Sequence, residues 1–230
     1  MALSRVGSWL AFTDGTNAYD GSSVDPTGSV TIGAGNNRML VFLVWCELGS
    51  QLTVGTFTIG WQSASYTGNV YQNATPDLNI LAFVWNESAI GSMSGSTISY
   101  SDSQSSNKMG WSYATYQDVK QASLTMTTGD ATGGDTINVT TTSTASDMII
   151  AAAIDKSANR YPFSYDTLTE QREWHSDQFA IGVADGAGGD GTTTVENDGT
   201  NSNMAALCMV LLPATAVPVI HHHRKQIGAV

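Results

Sequence analysis

The chain has 230 residues, 41% hydrophobic and 13% charged, and its 9 Lys+Arg against 20 Asp+Glu give a formal net charge of −11. That balance excludes a nucleic-acid groove or an anionic membrane surface, since both are met by clustered Lys and Arg, and the longest apolar runs are too short for a bilayer-spanning helix. With Ser 25, Thr 27 and Gly 23, strand and turn formers outweigh helix formers, and the length fits one all-β domain.

The first expected strand is Arg5 to Phe12. Its approach, Met1 to Val6, lacks the basic and apolar regions of a signal peptide, so synthesis in a host cytoplasm is expected. The loop from Asp14 to Asp20 follows, rich in oxygen ligands; Asp14 and Asp20 are calcium candidates there, although Asp-Gly and Asn are ordinary turn residues and turns are the expected role. Ser29 to Ile32 reads as a short strand. Met39 to Cys46 is the first of four almost continuously apolar runs, followed by Leu78 to Trp85, Met148 to Ile154 and Met204 to Leu212. Such runs suit central strands covered on both faces.

Between these runs, apolar residues alternate with small or polar ones, as in half-buried strands: Phe57, Ile59 and Trp61; Met109, Trp111 and Tyr113; Phe179, Ile181 and Val183. Ser96 to Tyr100, Thr136 to Thr142, Thr167 to Glu173 and Thr192 to Glu196 complete roughly ten to thirteen strands at the spacing of a sandwich. No long segment shows a capped 3.6-residue period, which argues against βαβ units. The expected fold is an antiparallel β-sandwich of jelly-roll type over residues 1–213, without an evident internal repeat, followed by an extended tail, 214–230.

Chemistry-bearing patterns are sparse. Gly186-Ala187-Gly188-Gly189-Asp190-Gly191 matches G-x-G-x-x-G, but Thr192 to Val195 is a β-branched run where a dinucleotide site needs a helix N-terminus, so a glycine-rich turn is expected. His175 is the one histidine before the tail, beside Glu173, Trp174 and Asp177; any triad would have to use it, and a surface role is expected instead. No carboxylate pair is singled out, and no enzymatic activity is expected. Asp185, Asp190 and Asp198 lie in a second Asp/Asn/Gly-rich stretch with the same choice between turns and calcium; no cofactor is expected otherwise. Cys46 and Cys208 sit inside apolar runs and read as buried free thiols.

Most aromatic residues fall at inward-facing positions. Tyr66, Tyr71 and Trp174 are the candidates for a sugar-stacking face. In the tail, Val217, Val219 and Ile220 precede His221-His222-His223-Arg224-Lys225, a cationic end on an acidic body. The expected role of these eight residues is docking to a neighbouring subunit; alternatively, His221 and His223, on one face of an extended segment, present imidazoles to a metal at a symmetry axis.

Taken together, Asn36-Asn37-Arg38-Met39-Leu40-Val41, Phe57-Thr58-Ile59-Gly60-Trp61-Gln62, Leu81-Ala82-Phe83-Val84-Trp85-Asn86, Asp147-Met148-Ile149-Ile150-Ala151 and Met209-Val210-Leu211-Leu212-Pro213 resemble a loosely defined group of β-sandwich domains in bacterial surface proteins and phage or metagenomic virion proteins. The resemblance spans nearly the whole body, departs from the group's aromatic-Gly-Gly turn at Gly60-Trp61, and implies a binding or structural module. The expectation is a virion-surface protein, a capsid decoration or head or tail fibre component, that docks on other virion proteins or on itself, a trimer being one such homo-oligomer; the alternative is a module that binds cell-surface glycans.

Overall fold

A computed structural model of the chain describes residues 2–11, 26–48, 51–72, 77–102, 108–122, 124–134, 136–156, 163–175, 180–189, 192–197 and 203–215. Those residues form sixteen strands and one short helix, all-β as the alternation requires. Among them no helix is long and apolar enough to cross a membrane.

The chain divides into two like-folded halves. The first holds β1 (Ser4–Ala11), β2 (Met39–Leu48), β3 (Val54–Ile59), β4 (Gln62–Ser63), β5 (Tyr66–Gln72), β6 (Asp77–Asn86), α1 (Glu87–Gly91), β7 (Ile98–Asp102) and β8 (Lys108–Gln117). The second holds β9 (Thr125–Thr132), β10 (Thr136–Thr140), β11 (Met148–Lys156), β12 (Phe163–Ser164), β13 (Thr169–His175), β14 (Ala180–Ala187), β15 (Thr192–Asn197) and β16 (Asn203–Leu211). Each half builds a five-stranded sheet, β1-β8-β2-β6-β5 or β9-β16-β11-β14-β13, and a three-stranded one, β4-β3-β7 or β10-β15-β12.

The wrapping is that of a jelly roll. In each half the first strand pairs with the last, β1 with β8 and β9 with β16. The central strand pairs with a later one, β2 with β6 and β11 with β14. In between, residues 28–30 bond to the β7 end through Val30 N–H to Ser96 O (3.0 Å) and Ile98 N–H to Gly28 O (2.9 Å), as β10 pairs with β15. These nested antiparallel pairs define the fold. The register repeats as well: Met39 opposes Asn86 and Tyr116, and Met148 opposes Ala187 and Leu211. The fold therefore contains the repeat that was not evident in the sequence.

The halves stack through their large sheets, giving four layers. Successive residues of β2 point to opposite faces: Met39, Val41, Leu43 and Trp45 enter the cluster between the two large sheets, and Leu40, Phe42, Val44 and Cys46 enter the cluster under β3 and β7. Both faces are covered, so the run is apolar throughout. β8 alternates less than expected for the same reason: from Met109 to Tyr116 it is buried on both faces. A third cluster lies under β10 and β15. Strand β1 contacts β13, and β5 contacts β9. First strand against fifth strand, in both directions, is what a two-fold relation between the halves produces.

Cys46 and Cys208 are buried thiols outside any disulfide, one in each outer cluster; burial pushes the Cys208 thiol up to about 12. At the start of β2, Arg38 grips Glu87 of α1 with its backbone N–H (2.6 Å), Nε (3.0 and 3.2 Å) and Nη2 (2.5 Å). Asn86 caps α1, its side chain accepting from the Ala89 N–H at 3.0 Å. These bonds fix the β6 end of the large sheet against the start of β2.

Candidate functional site

In a regular jelly roll the fifth strand extends the small sheet. Here β5 pairs with β6 instead, so it widens the large sheet and leaves a gap beside the β3–β4 hairpin. The gap is a cleft of about 460 Å³. Its floor is Phe57, Leu81 and Phe83; its walls are Val54, Gly55, Thr56, Thr58, Ser63 and Ala64 on one side and Thr67, Gly68 and Asn69 on the other. Thr67 and Asn69 face it because the intervening Gly68 turns toward the second half, where an added Cβ would strike the Met126 sulfur. None of the twelve lining side chains is ionisable.

The β3–β4 hairpin, whose Thr58 and Ser63 wall the cleft, turns at Gly60 and Trp61. Sequence alternation places Trp61 inward after Phe57 and Ile59; the structure corrects this, for Ile59 is buried while Trp61 is 81% exposed. The reason is a two-residue turn. Ile59 opposes Gln62, and Gly60 and Trp61 both have positive φ, 53° and 70°, the signature of a type I′ hairpin. Such a φ is strained for a bulky side chain. Two bonds hold the turn in place: Gly60 N–H donates to Thr97 O (2.9 Å), and Ser94 N–H donates to Gly60 O (2.9 Å). The Trp85 indole donates to Gln62 O at 2.8 Å. The backbone on either side of the exposed Trp61 is thus held in a short, bonded turn.

The second half has the same gap in principle, and it is filled. Counting from the Met39/Met148 equivalence, Glu173 stands in the place of Asn69, and Gly182 in that of Leu81. Glu173 accepts from the Phe163 N–H at 2.6 Å, tying β13 to β12. Tyr165, 3% exposed, packs onto Gly182, where an added Cβ would meet its hydroxyl. Burial first, and Glu170 beyond it, raise the Glu173 carboxyl to about 7 against the Phe163 bond that lowers it.

Of the stacking candidates, Tyr66 points from β5 into the inter-sheet core. Tyr71 lies on the same face of β5 as Thr67 and Asn69, its hydroxyl donating to Asp77 Oδ2 at 2.9 Å, a bond that raises its pKa. The backbone of Trp174 is in β13 opposite Ile181, and His175 is opposite Ala180; their side chains lie outside the described residues. So do Asp14, Asp20, Asp190, Asp198, Val217, Val219, Ile220, His221, His222, His223, Arg224 and Lys225. Asp185 is in strand β14 and not in a loop, 7% exposed, with Arg5, Trp9 and Tyr116 donating to its Oδ2. Among the described residues no three His, Cys, Asp or Glu gather in a way that would hold a metal.

Trp61, Thr67 and Asn69 are the site residues that sequence reasoning missed. The signal available for Trp61 was Gly60, a single glycine after an alternating run, which marks a hairpin turn. Compared with known proteins, the chain matches no family model, no curated protein and no solved structure.

Proposed function

We propose that the chain is a non-enzymatic virion structural protein, a capsid decoration or a head or tail fibre component, that docks on a neighbouring copy or virion protein through the segment after Pro213. The observation that carries this reading is the launch point of that segment. Val119, just past the last strand of the first half, pairs with Pro213, just past the last strand of the second. Lys120 N–H donates to Leu212 O (2.8 Å), and Ala214 N–H donates to Asp118 O (2.6 Å). The segment after Pro213 therefore starts from a point bonded to both halves, and a cationic, apolar segment on an acidic body suits capture by another acidic sandwich. Light scattering of the full chain against a chain truncated after Thr215 tests it. The expected result is a trimer or larger species that needs the extension. Equal monomer masses would overturn the reading.

The exposed Trp61 favours a second reading, a glycan-binding module. Aromatic side chains exposed at a surface are a common platform for sugar rings.

A further inference from the structure

We infer that the cleft between the β3–β4 hairpin and β5 binds a neutral oligosaccharide that extends to the exposed Trp61 on the turn of that hairpin. The inference rests on the glycan-binding reading and gives it a place and a ligand class. Its volume, about 460 Å³, lies among those of small-ligand sites, about 300–1,000 Å³. The chemistry of the walls selects the ligand. Threonine and serine hydroxyls and the Asn69 amide both donate and accept, which matches sugar hydroxyls. The floor of Phe57, Leu81 and Phe83 offers an apolar surface to the C–H faces of a ring.

Charge narrows the class further. A phosphate, sulfate or carboxylate calls for Arg or Lys, and the lining contains neither. The net charge of −11 repels anionic glycans at longer range. The other half serves as an internal comparison: in the matching gap Tyr165 packs on Gly182 and Glu173 ties β13 to β12. One jelly roll has its gap closed by its own side chains, and the other keeps it open beside a hairpin whose turn carries a positive-φ tryptophan.

The test is titration of the full chain with neutral gluco-, manno- and galacto-oligosaccharides and with their sialylated or sulfated counterparts, alongside Trp61→Ala, Asn69→Trp and, as a control in the other half, Glu173→Gln. Trp61 and Asn69 are exposed, and thermal melting confirms that each variant folds. The expected result is binding of a neutral oligosaccharide, weakened about tenfold or more by Trp61→Ala and by Asn69→Trp and unchanged by Glu173→Gln. Binding that both cleft variants leave intact would place the sugar elsewhere, overturning the cleft while sparing the glycan reading. Preference for the anionic sugars, or displacement of the sugar by an extended peptide laid along the β5 edge, would overturn the ligand class. If no oligosaccharide binds, the glycan reading falls and this inference with it.

Discussion

Arg5 and Asp185, 180 positions apart in the chain, meet across the seam between the halves with Nη1 2.7 Å from Oδ2. The same oxygen accepts from the Tyr116 hydroxyl at 2.6 Å and the Trp9 indole at 3.1 Å, so three donors of the first half converge on one acceptor of the second. Burial, and then the carboxylate, hold the Tyr116 hydroxyl well above its usual pKa, which keeps it a donor. Asp185→Leu leaves two buried donors, the Tyr116 hydroxyl and the Trp9 indole, without this acceptor, while Arg5 keeps Gly7 O (2.9 Å); the change is expected to cost about 2–5 kcal/mol. Arg5→Met removes the cation but leaves the Asp185 carboxylate accepting from Tyr116 and Trp9, and is expected to cost less, about 1–2 kcal/mol. Urea unfolding of the two variants checks the order. Equal losses would show that the guanidinium, and not the shared acceptor, holds the seam.

Glu173 makes stability depend on pH in the direction opposite to most carboxylates. Its carboxyl titrates near 7 in the folded chain, above the ordinary 4.5, chiefly because it is partly buried. A raised folded pKa means that the neutral form is the one the fold prefers, so stability is full below about pH 4.5 and declines as pH rises through 7. Glu173→Gln keeps an oxygen for the Phe163 N–H and removes the titration. The variant is expected to melt higher than the parent at pH 8 and at the same temperature at pH 4.5. A constant difference across that window would assign the effect to packing.

How much of this could be read from the chain differs by level. The four apolar runs marked β2, β6, β11 and β16, because strands covered on both faces lose their alternation. The repeat stayed hidden because the halves fill matching positions with different volumes. Phe42 and Phe83 in one outer cluster correspond to Ala151 and Ala184 in the other, and the offset between matching strands changes with every loop. Met39 with Met148 and Met109 with Met204 are among the few identities left. Strands β5 and β9 were missed altogether: Tyr66–Gln72 is interrupted by Gly68 and Asn69, and Thr125–Thr132 has the pattern of a sheet edge, with no buried residue. The cleft was illegible for a related reason, since it arises from which sheet β5 joins, and that is a choice of partner that local pattern does not encode.

Gly182 and Tyr165 form a pair whose coupling can be measured. Tyr165 is buried and its hydroxyl has no hydrogen-bond partner among the described residues. Tyr165→Phe removes that unsatisfied group and is expected to gain about 1 kcal/mol. Gly182→Ala drives a methyl against the hydroxyl and toward Phe163 Cδ2 at 2.9 Å, an overpacking worth about 1–3 kcal/mol of destabilisation. In the Tyr165→Phe background the alanine should cost less, because the nearest atom is gone. A double-mutant cycle with no interaction between the two changes would place the strain on Phe163 alone.

Each half is expected to depend on the other for its folding. In the second half, Ile150, Ile154, Val183, Leu207, Met209 and Leu211 have exposures of 0–1% only because the other large sheet covers them. Expressed alone, residues 124–230 would present that face to water. Each buried apolar side chain contributes about 1.5–3 kcal/mol, so six of them contribute as much as the whole stability of an ordinary domain, about 5–15 kcal/mol. The separated half is therefore expected to bind 1-anilinonaphthalene-8-sulfonate and to lose near-ultraviolet circular dichroism while keeping its far-ultraviolet β signal. The full chain should unfold in one transition by both probes. A separated half that is monomeric, with sharp near-ultraviolet bands and a melting point close to the parent's, would mean that each jelly roll is stabilised by its own outer cluster and that the central layer is an interface between finished domains.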